Sequence, residues 1–366
     1  MRESKAHQTG RRVHFIAVTP PPVNGMTLMS AAMRDALCEA GPLSHYPVTN
    51  SRGLKGVRWT VHKHLQMWRR LRQASRAAHR ADVCYMVPDS GYGLRLNRVE
   101  MRHLSKHFAH VFLHHHVSTY VNKRDPHMAA IIKRLGSAVT HIVLGPEMEQ
   151  GLRTQYGQDI KTLTLGNAAL VPTVTAPRLR SQLDTVGYLS HVSLPKGIDR
   201  FMETVRAVDR AGHKINAVIA GPFADQETGA RVQAFIAQNP ETRRYAGPVY
   251  DAQKETFWDQ IDVLLFPSRY AQEAQPVTIF EALTQAIPVL ATPRGCIPSQ
   301  LYGTGWVLPE DRFVQQACDQ IVAWRNKPDA YKAAVTHALS LWDDHQKTDA
   351  ARLLDVVNTI TQKHMT

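Results

Sequence analysis

The stretch VLLFPSRYAQEAQPVTIFEALTQAIPVLA, residues 263–291, decides the fold of this chain. Its first four residues, Val263–Phe266, form an apolar run typical of a buried parallel strand, and Pro267-Ser268 ends that run. Helix-forming residues follow from Val277 to Gln285, and Pro288–Ala291 is a second apolar run. Strand, helix and strand in this order predict one unit of a mainly parallel α/β sheet.

Two glutamates flank the start of the helix in this stretch. Glu273 lies in the loop after the first strand, and Glu281 lies inside the helix. The backbone N–H groups near Val277 and Thr278 have no partner within the helix, and the helix dipole favours an anion there. A diphosphate at this place would have a carboxylate toward each end, ready to accept hydrogen bonds from sugar and ribose hydroxyls. The spacing alone equally fits two surface glutamates around a helix start.

The strand and helix alternation extends over the whole chain in two runs. A chain of 366 residues is longer than one hydrophobic core usually serves, so two domains are expected. Further strands are predicted at Val13–Val18, Val83–Val87, Ala109–Leu113, Ala138–Leu144, Thr185–Leu189, Ala217–Ala220 and Trp306–Leu308. Helices are predicted at Met26–Ala40, at 61–80, after Gly197 and over most of 311–366. The pattern restarts after the proline-containing stretch 171–177, which predicts Rossmann-like domains at 1–175 and 176–345 and a final helix at 346–366.

Three segments together resemble the family-4 retaining glycosyltransferases, which have the GT-B fold. Residues 263–291 are similar to the donor-site signature of that family, with E-x7-E, E-A-L and I-P-V-L-A in order. GYLSHVSLPKGIDRFMETV, residues 187–205, is similar to the family segment that carries a Lys-Gly pair, here Lys196 and Gly197. TPPPVNGMTLMSAAM, residues 19–33, resembles the first loop of the family. The resemblance implies two Rossmann-like domains facing across a cleft, an N-terminal acceptor domain and a C-terminal donor domain, with the last helix crossing back onto the N-terminal domain.

Several positions depart from the family pattern. They are Asn24, Tyr188, Ala274, Gln275 and Ala286. Tyr188 matters most, because it stands where the family often has an arginine that faces the donor diphosphate. The second cation of the donor site is then either missing or supplied from elsewhere, and Arg200 and Arg269 are the candidate substitutes.

Carried over position by position, the resemblance implies a role for each candidate residue. Glu273 would contact the transferred sugar and Glu281 the ribose, while Lys196 would neutralise charge that builds on the leaving diphosphate. Backbone at Gly25, Gly197, Val277 and Thr278 would approach the donor, and glycine permits such close approach. Further candidates are Asn24, Tyr188, Gly221 and Asn167.

The histidine run FLHHHVSTY, residues 112–120, follows a predicted strand. Because side chains alternate along an extended segment, His114 and His116 can share a face and His115 cannot. No acidic or cysteine ligand lies near the run in sequence, which disfavours a metal site. The family resemblance implies a histidine beside the transferred sugar, with His116 the first choice and His114 the second. A polar strand end with capping roles is the open alternative.

Charge separates the two halves of the chain. The formal net charge is +13, but residues 1–175 hold 24 Lys/Arg and 10 Asp/Glu, whereas residues 176–366 hold 20 and 21. A basic half predicts an anionic partner surface, and the basic amphipathic helix at 61–80 suits an anionic membrane. Solubility is the alternative explanation of the charge. Four scattered cysteines and no long apolar stretch predict a cytoplasmic protein, peripheral at the inner face of the membrane.

The family resemblance implies a retaining, hexosyl-transferring enzyme, and the basic N-terminal half favours a role in polysaccharide assembly at a membrane. It would move a sugar from a nucleoside diphosphate to a hydroxyl of a glycan or polyprenyl-linked glycan. No cofactor or metal ion is expected, because Lys196 and helix N–H groups would supply the positive charge. A sugar-nucleotide epimerase of the same fold and a nucleic-acid binder using the basic half are the alternatives. The second is disfavoured, because the basic helix carries no recognised nucleic-acid motif.

Overall fold

The computed structural model describes residues 11–250 and 252–362, with the side chain of His103 left aside. The chain divides into two compact units. Unit 1 contains the residues up to Leu170 together with the segment from Thr348 onward, and unit 2 is Val171–Lys347. The last helix therefore contributes residues to both units.

Unit 1 is built on a six-stranded sheet in which all strand pairs are parallel. Its strands are β1 (Val13–Ile16), β2 (Leu43–His45), β3 (Val83–Met86), β4 (His110–His114), β5 (Val139–Val143) and β6 (Thr162–Thr164), in the spatial order β2-β1-β3-β4-β5-β6. Its helices are α1 (Gly25–Ala40), α2 (Gly56–Ala77), α3 (Gly91–Glu100), α4 (Leu104–His107), α5 (Thr119–Asn122), α6 (Pro126–Leu135) and α7 (Pro146–Tyr156). The chain leaves β1 for β2 on one side and for β3 on the other, so the switch point of this sheet lies between β1 and β3.

Unit 2 is built on a five-stranded parallel sheet. Its strands are β7 (Thr185–Leu189), β8 (Asn216–Ala220), β9 (Arg243–Gly247), β10 (Val263–Phe266) and β11 (Val289–Ala291), in the order β11-β10-β7-β8-β9. Its helices are α8 (Ile198–Arg210), α9 (Gln226–Ala237), α10 (Ala252–Gln260), α11 (Val277–Thr284), α12 (Ile297–Gln300), α13 (Phe313–Asn326) and the first part of α14 (Pro328–Thr361). The switch point lies between β7 and β10, which are neighbours although the chain forms β8 and β9 between them.

The predicted α/β architecture with two parallel sheets is confirmed, with differences in detail: the helix predicted at 346–366, for example, is the C-terminal part of one longer helix, Pro328–Thr361. Trp306–Leu308 is wrong as a strand, because it forms only an isolated bridge from Val307 to Ala291. Strands β2, β6 and β9 were not predicted, because none of them has a continuous apolar run in the sequence. The basic helix predicted at 61–80 begins earlier, at Gly56, and ends at Ala77.

The apolar side chains of α2 face two ways. Its buried residues are His64, Met67, Leu71 and Ala74. Val61, Leu65 and Trp68, which the sequence places near Leu71 on one face, are exposed. The buried face of α2 is therefore shifted by one residue from the apolar face that the sequence displays. His64 occupies a position that faces the core, and Leu65 beside it is exposed.

The last helix completes the core of unit 1. Val356, Val357 and Ile360 of α14 are buried in one cluster with Phe15 and Tyr85 of the sheet. The Arg11 side chain donates hydrogen bonds to the backbone carbonyls of Thr359 and Ile360, the latter at 2.8 Å. The first strand and the last helix of unit 1 are thus tied together although they lie at opposite ends of the sequence.

No helix within the described residues combines the length and the hydropathy that crossing a membrane requires. All four cysteines have free thiols.

Buried imidazoles lie at the carboxyl end of β4. The His115 ring bridges His141 and Tyr120, with Nε2 2.8 Å from His141 Nδ1 and Nδ1 2.9 Å from the Tyr120 hydroxyl. The rings of His114 and His116 lie 4.2 Å apart, so these two side chains share a face as the alternation predicts. His115 points elsewhere, toward His141.

Burial keeps these imidazoles neutral. It lowers the pKa of His116 and of His141 to about 4, and it holds the pKa of His114 and of His115 well below the ordinary value. The Nε2 atoms of His114, His116 and His141 are buried without a hydrogen-bond partner among the described atoms. A proton on these rings would therefore place an unpaired charge inside the protein.

We expect unit 1 to lose stability as the pH falls. An unfolded histidine titrates near pH 6.5, so between about pH 6.5 and about pH 4 the unfolded chain binds protons that the folded chain does not. Above about pH 6.5 these histidines do not reduce the free energy of unfolding. As the pH falls from about 6.5 to about 4, each of them lowers that free energy by about 1.4 kcal/mol per pH unit. Urea unfolding at several pH values measures this slope.

His116→Leu should make that slope shallower, whereas His107→Asn, at an exposed position, should leave it unchanged. Equal slopes for wild type and His116→Leu would contradict the assignment.

Candidate functional site

Chemically active side chains of unit 2 meet at the carboxyl ends of β7 and β10. These strands are paired in parallel, with Val263 opposite Val186, so the loops that follow them emerge side by side. The loop after β7 carries Lys196, and the loop after β10 carries Glu273. Because this is the switch point of the sheet, it is the place where open α/β sheets bind ligands.

An ion pair joins the two loops. Lys196 Nζ lies 2.7 Å from Glu273 Oε2, although 77 residues separate them in sequence. The Ser268 hydroxyl donates a second hydrogen bond to the same oxygen, also at 2.7 Å. The Lys196 ammonium also lies 4.5 Å from the centre of the Tyr270 ring. The side chains are 19% and 9% exposed, so the pair is largely removed from water yet remains accessible from one side.

Gly197 shapes the lysine loop. It has φ 82°, in the left-handed region, and it starts α8. A Cβ at this position would overlap with the backbone carbonyl of Pro267. Only glycine therefore lets this loop and the β10 loop approach each other.

Tyr188 supports the same loop from the core of unit 2. Its ring is buried, and its hydroxyl donates a hydrogen bond to the backbone carbonyl of Lys196 at 3.2 Å. Burial also raises its pKa, so the hydroxyl stays protonated. Tyr188 is thus a structural support in place of the cation that the family pattern has at this position. The two candidate replacements are already paired, Arg200 with Glu310 at 3.2 Å and Arg269 with Asp199 at 2.8 Å.

A third loop packs against the Glu273 loop. Gly295 follows β11 with φ 51°, and a Cβ there would overlap with the carbonyls of Glu273 and Ala274. The backbone N–H of Cys296 donates to the Ala274 carbonyl at 2.6 Å. Sequence reasoning missed Gly295 and Ser268, since neither contact can be read from spacing along the chain.

Helix α11 begins at Val277, immediately after the Glu273 loop. Its N-cap is Pro276, whose side chain makes no capping hydrogen bond. The first turn, which contains Val277 and Thr278, therefore presents backbone N–H groups that no side chain of the N-cap satisfies. These groups and the positive end of the helix dipole favour an anion at this helix start.

Glu281 lies farther along α11, and only one of its carboxylate oxygens is satisfied. Oε1 accepts a hydrogen bond from Lys254 of α10 at 2.5 Å. Oε2 is buried without a hydrogen-bond partner among the described atoms. Lys254 was not predicted, because nothing in the sequence connects α10 with α11.

The loop after β8 carries the remaining candidate of unit 2. Gly221 has φ 121°, and a Cβ there would overlap with the carbonyl of Ser190. The Tyr245 hydroxyl donates to the Gly221 carbonyl at 2.7 Å, and the Tyr245 ring stacks on Phe223 with centroids 4.3 Å apart. This aromatic pair beside Gly221 was also missed by sequence reasoning.

Unit 1 holds the other predicted site residues. Asn24 caps α1: its side chain accepts from the Thr27 N–H at 3.1 Å, and Thr27 Oγ1 accepts from the Asn24 N–H at 3.1 Å. Gly25 is the exposed first residue of α1 and does not have a positive φ. Asn167 is buried in a 3-10 turn, Asn167–Leu170, beyond β6. Asn24 therefore has a clear structural role in the loop that follows β1.

Within residues 11–250 and 252–362, no three His, Cys, Asp or Glu side chains come together in a way that could hold a metal ion. The run of three histidines does not converge on a point, since His115 turns toward His141 while His114 and His116 face each other.

Comparison with known proteins identifies a family that matches this part of the chain. Residues 183–326 match the family described as "Glycosyl transferases group 1". No curated protein matches the chain in sequence.

Several solved structures share the fold. Sucrose-phosphate synthase from Thermosynechococcus elongatus has a TM-score of 0.70 at 15% identity, over 96% of this chain and 99% of that one. Anabaena HepE in complex with UDP-glucose has a TM-score of 0.66 at 14% identity, over 96% and 100%.

TarM, a Staphylococcus aureus protein, has a TM-score of 0.64 at 17% identity. The match covers 81% of this chain but only 58% of the length of TarM. The chain therefore has the GT-B fold of these solved structures, and its residues 183–326 match the group 1 glycosyltransferase family.

Proposed function

We propose that this glycosyltransferase moves a hexosyl group, with retention of anomeric configuration, from a nucleoside diphosphate to a hydroxyl of a glycan or lipid-linked glycan. The observation that carries the proposal is the Lys196–Glu273 ion pair at the switch point of unit 2. It combines a cation suited to a leaving diphosphate with a carboxylate suited to sugar hydroxyls, inside the group 1 domain. HepE is known in complex with UDP-glucose, which makes UDP-glucose the first donor to test.

The leaving group requires positive charge, and the site can supply it. Cleavage of the sugar–phosphate bond leaves a nucleoside diphosphate with additional negative charge. Lys196 and the first N–H groups of α11, at Val277 and Thr278, would stabilise that charge. Glu273 and the Tyr270 ring hold the ammonium in place before the donor arrives, so little reorganisation is needed. The proposal calls for no cofactor or metal ion, because Lys196 and the helix N–H groups would provide the positive charge.

Glu281 would bind the ribose. Its Oε2 is buried and lacks a partner, and a buried unsatisfied acceptor costs free energy that a ligand hydroxyl would recover. Lys254 fixes Oε1 and so holds the carboxylate in one orientation. The glycines at 197 and 221 would keep the neighbouring loops low enough for the nucleotide to lie over the strand ends.

Unit 1 would contribute neutral hydrogen-bonding groups. Because burial lowers the pKa of His116 to about 4, its imidazole is uncharged at neutral pH. We assign to His116, and second to His114, the hydrogen bond to a hydroxyl of the transferred sugar. Gly25, Asn24 and Asn167 remain candidates for further substrate contacts.

Retention without a covalent intermediate fits the surroundings of Glu273. A carboxylate nucleophile needs a free oxygen next to the reacting carbon. Oε2 of Glu273 instead accepts hydrogen bonds from Lys196 and Ser268, which lowers its nucleophilicity. We therefore propose that the acceptor hydroxyl attacks on the face that the diphosphate leaves, within an ion-pair-like state.

An anionic membrane surface is the proposed setting, at the inner face of the membrane. The net charge of residues 1–175 is +14, from 24 basic and 10 acidic residues, and most of these residues belong to unit 1. Basic surfaces of this kind are attracted to anionic lipids.

Lys196→Ala should lower kcat for transfer from UDP-glucose by roughly 10²–10³, the usual effect of removing one group that stabilises transition-state charge. Lys196→Arg should recover part of the loss, since it restores the charge. Steady-state kinetics with Lys214→Ala, at an exposed position of unit 2, as the control would measure this. A Lys196→Ala enzyme with normal kcat would refute the assigned role.

Glu281→Gln should weaken UDP binding about tenfold or more, because a hydrogen bond to a charged acceptor contributes roughly 1.5–3 kcal/mol. UDP lacking both ribose hydroxyls should bind wild type and Glu281→Gln equally. Calorimetric titration of the two ligands checks this, with Glu255→Gln, exposed on α10, as the control.

Lys254→Met, like Glu281→Gln, should weaken the binding of UDP and leave the binding of UDP without ribose hydroxyls unchanged. Lys254→Arg should restore the affinity for UDP. If these variants weaken the binding of UDP without ribose hydroxyls as much as they weaken the binding of UDP, Glu281 does not bind the ribose hydroxyls.

The product formed from an α-linked donor should have the α configuration. Proton NMR of the anomeric region, recorded early in the reaction, distinguishes the anomers. A β product would exclude retention. Conversion of the donor sugar in the absence of any acceptor would indicate an epimerase instead.

A further inference from the structure

Two buried tyrosine–histidine pairs lie at the carboxyl end of β4. In the first pair the Tyr85 hydroxyl lies 2.5 Å from His114 Nδ1. In the second the Tyr120 hydroxyl lies 2.9 Å from His115 Nδ1. Because successive side chains of an extended segment point to opposite faces, the two pairs lie on opposite faces of the sheet. The proposed function involves His114 and leaves both tyrosines without a role.

The register of the sheet brings Tyr85 to His114. Strands β3 and β4 are paired in parallel with Tyr85 opposite Phe112, so these two side chains lie on the same face. His114 is two residues beyond Phe112 and therefore shares that face. The Tyr85 ring is fully buried and stacks on Phe15 of β1 with ring centroids 4.7 Å apart. The core of unit 1 thus fixes the position of the hydroxyl that meets the imidazole.

The direction of the hydrogen bond between Tyr85 and His114 follows from the chemistry of the two groups. A phenol hydroxyl is a better hydrogen-bond donor than acceptor, and an unprotonated imidazole nitrogen is a good acceptor. Burial raises the pKa of Tyr85 and lowers the pKa of His114, so the proton stays on the phenol. The hydroxyl therefore donates to Nδ1, and the one proton of the neutral imidazole lies on Nε2.

The Nε2 atom of His114 has no hydrogen-bond partner among the described atoms. The ring of His116 lies 4.2 Å from the ring of His114, and its Nε2 atom is likewise buried and unpartnered. His114 is fully buried and His116 is half-buried, so the pair reaches the surface of unit 1 through His116. A buried N–H without an acceptor costs free energy that a ligand oxygen would recover. The pair lies where β4 ends, at the edge where open α/β sheets bind ligands.

We propose that Tyr85 is a positioning residue for the transferred sugar. Its hydroxyl holds the His114 ring in one orientation and fixes the tautomer that carries the proton on Nε2. The pair of His114 and His116 then presents an N–H group to a hydroxyl oxygen of the sugar. The inference rests on the proposed contact between these histidines and the sugar, and it identifies the residue that prepares them for it.

The tautomer of His114 can be measured without any ligand. Long-range proton–nitrogen correlation spectra of protein labelled at the histidine nitrogens distinguish the two tautomers, and the signals that vanish in His114→Gln belong to His114. In wild type they should show the proton on Nε2. In Tyr85→Phe they should shift toward a mixture of both tautomers. A proton on Nδ1 in wild type, or an unchanged tautomer in Tyr85→Phe, would overturn the proposal.

Calorimetric titration with UDP-glucose and with UDP isolates the contribution of the sugar. Tyr85→Phe should weaken the binding of UDP-glucose about two- to tenfold, the usual effect of losing one neutral hydrogen bond, and should leave the binding of UDP unchanged. A general loss of structure would weaken the binding of both ligands alike. Equal losses for the two ligands, or no loss for UDP-glucose, would therefore contradict a positioning role.

Tyr120→Phe is the matched control. It removes the same kind of hydroxyl from a buried tyrosine–histidine pair, but that pair connects to His141 on the other face of the sheet. Its thermal midpoint should fall about as much as that of Tyr85→Phe, while its affinity for UDP-glucose should equal that of wild type. If Tyr120→Phe lost as much affinity for UDP-glucose as Tyr85→Phe, the effect would not be specific to Tyr85 and the proposal would fail.

The two measurements separate this proposal from the proposed function. If wild type binds neither UDP nor UDP-glucose, the donor assignment fails, whereas a His114 tautomer that depends on Tyr85 still supports the positioning of the imidazole. If wild type binds both ligands and its affinity for UDP-glucose does not depend on Tyr85, the donor site stands and the role of Tyr85 is refuted.

Discussion

The ion pair between Lys196 and Glu273 is the constraint on which the loops at the switch point of unit 2 depend. A lysine and a glutamate largely removed from water stabilise one another only if their geometry is held, and removal of either partner leaves the other as an uncompensated charge. The protein holds that geometry through the backbone. Gly197 and Gly295 allow neighbouring loops to approach more closely than any side chain would permit, and Tyr188 supports the lysine loop from within the core.

Much of this arrangement could be predicted from the sequence. Apolar runs such as Val263–Phe266 mark the central strands, since a buried parallel strand has few polar residues. The carboxyl ends of such strands share an edge, so Lys196 and Glu273 could be expected at one site. Lys254 and Ser268 could not, because their contacts depend on how a helix and a loop turn in space. Tyr188 shows the limit most clearly: at a position where an arginine was expected, the side chain points into the core.

The two units solve different electrostatic problems. Unit 2 offsets each buried or half-buried charge with a specific partner, as in the pairs Lys196–Glu273 and Lys254–Glu281. In unit 1, burial instead keeps the imidazoles of His116 and His141 uncharged, and one surface cavity is lined by four arginines without a carboxylate. Specific ion pairs suit a domain that binds one nucleotide, whereas an excess of surface arginines suits a domain that binds a large anionic ligand.

Helix α14 has a consequence for how the protein is made. The core of unit 1 includes Val356, Val357 and Ile360, which a ribosome adds only after every residue of unit 2. A nascent chain that has just finished the sixth strand can form a sheet, but it has no side chains to fill that part of the core. Unit 2, whose residues are all synthesised before them, can complete its own core first. The order of folding during synthesis is then the reverse of the order of the sequence, and a chain cut shortly before Thr348 would leave its N-terminal half exposed to proteases and chaperones.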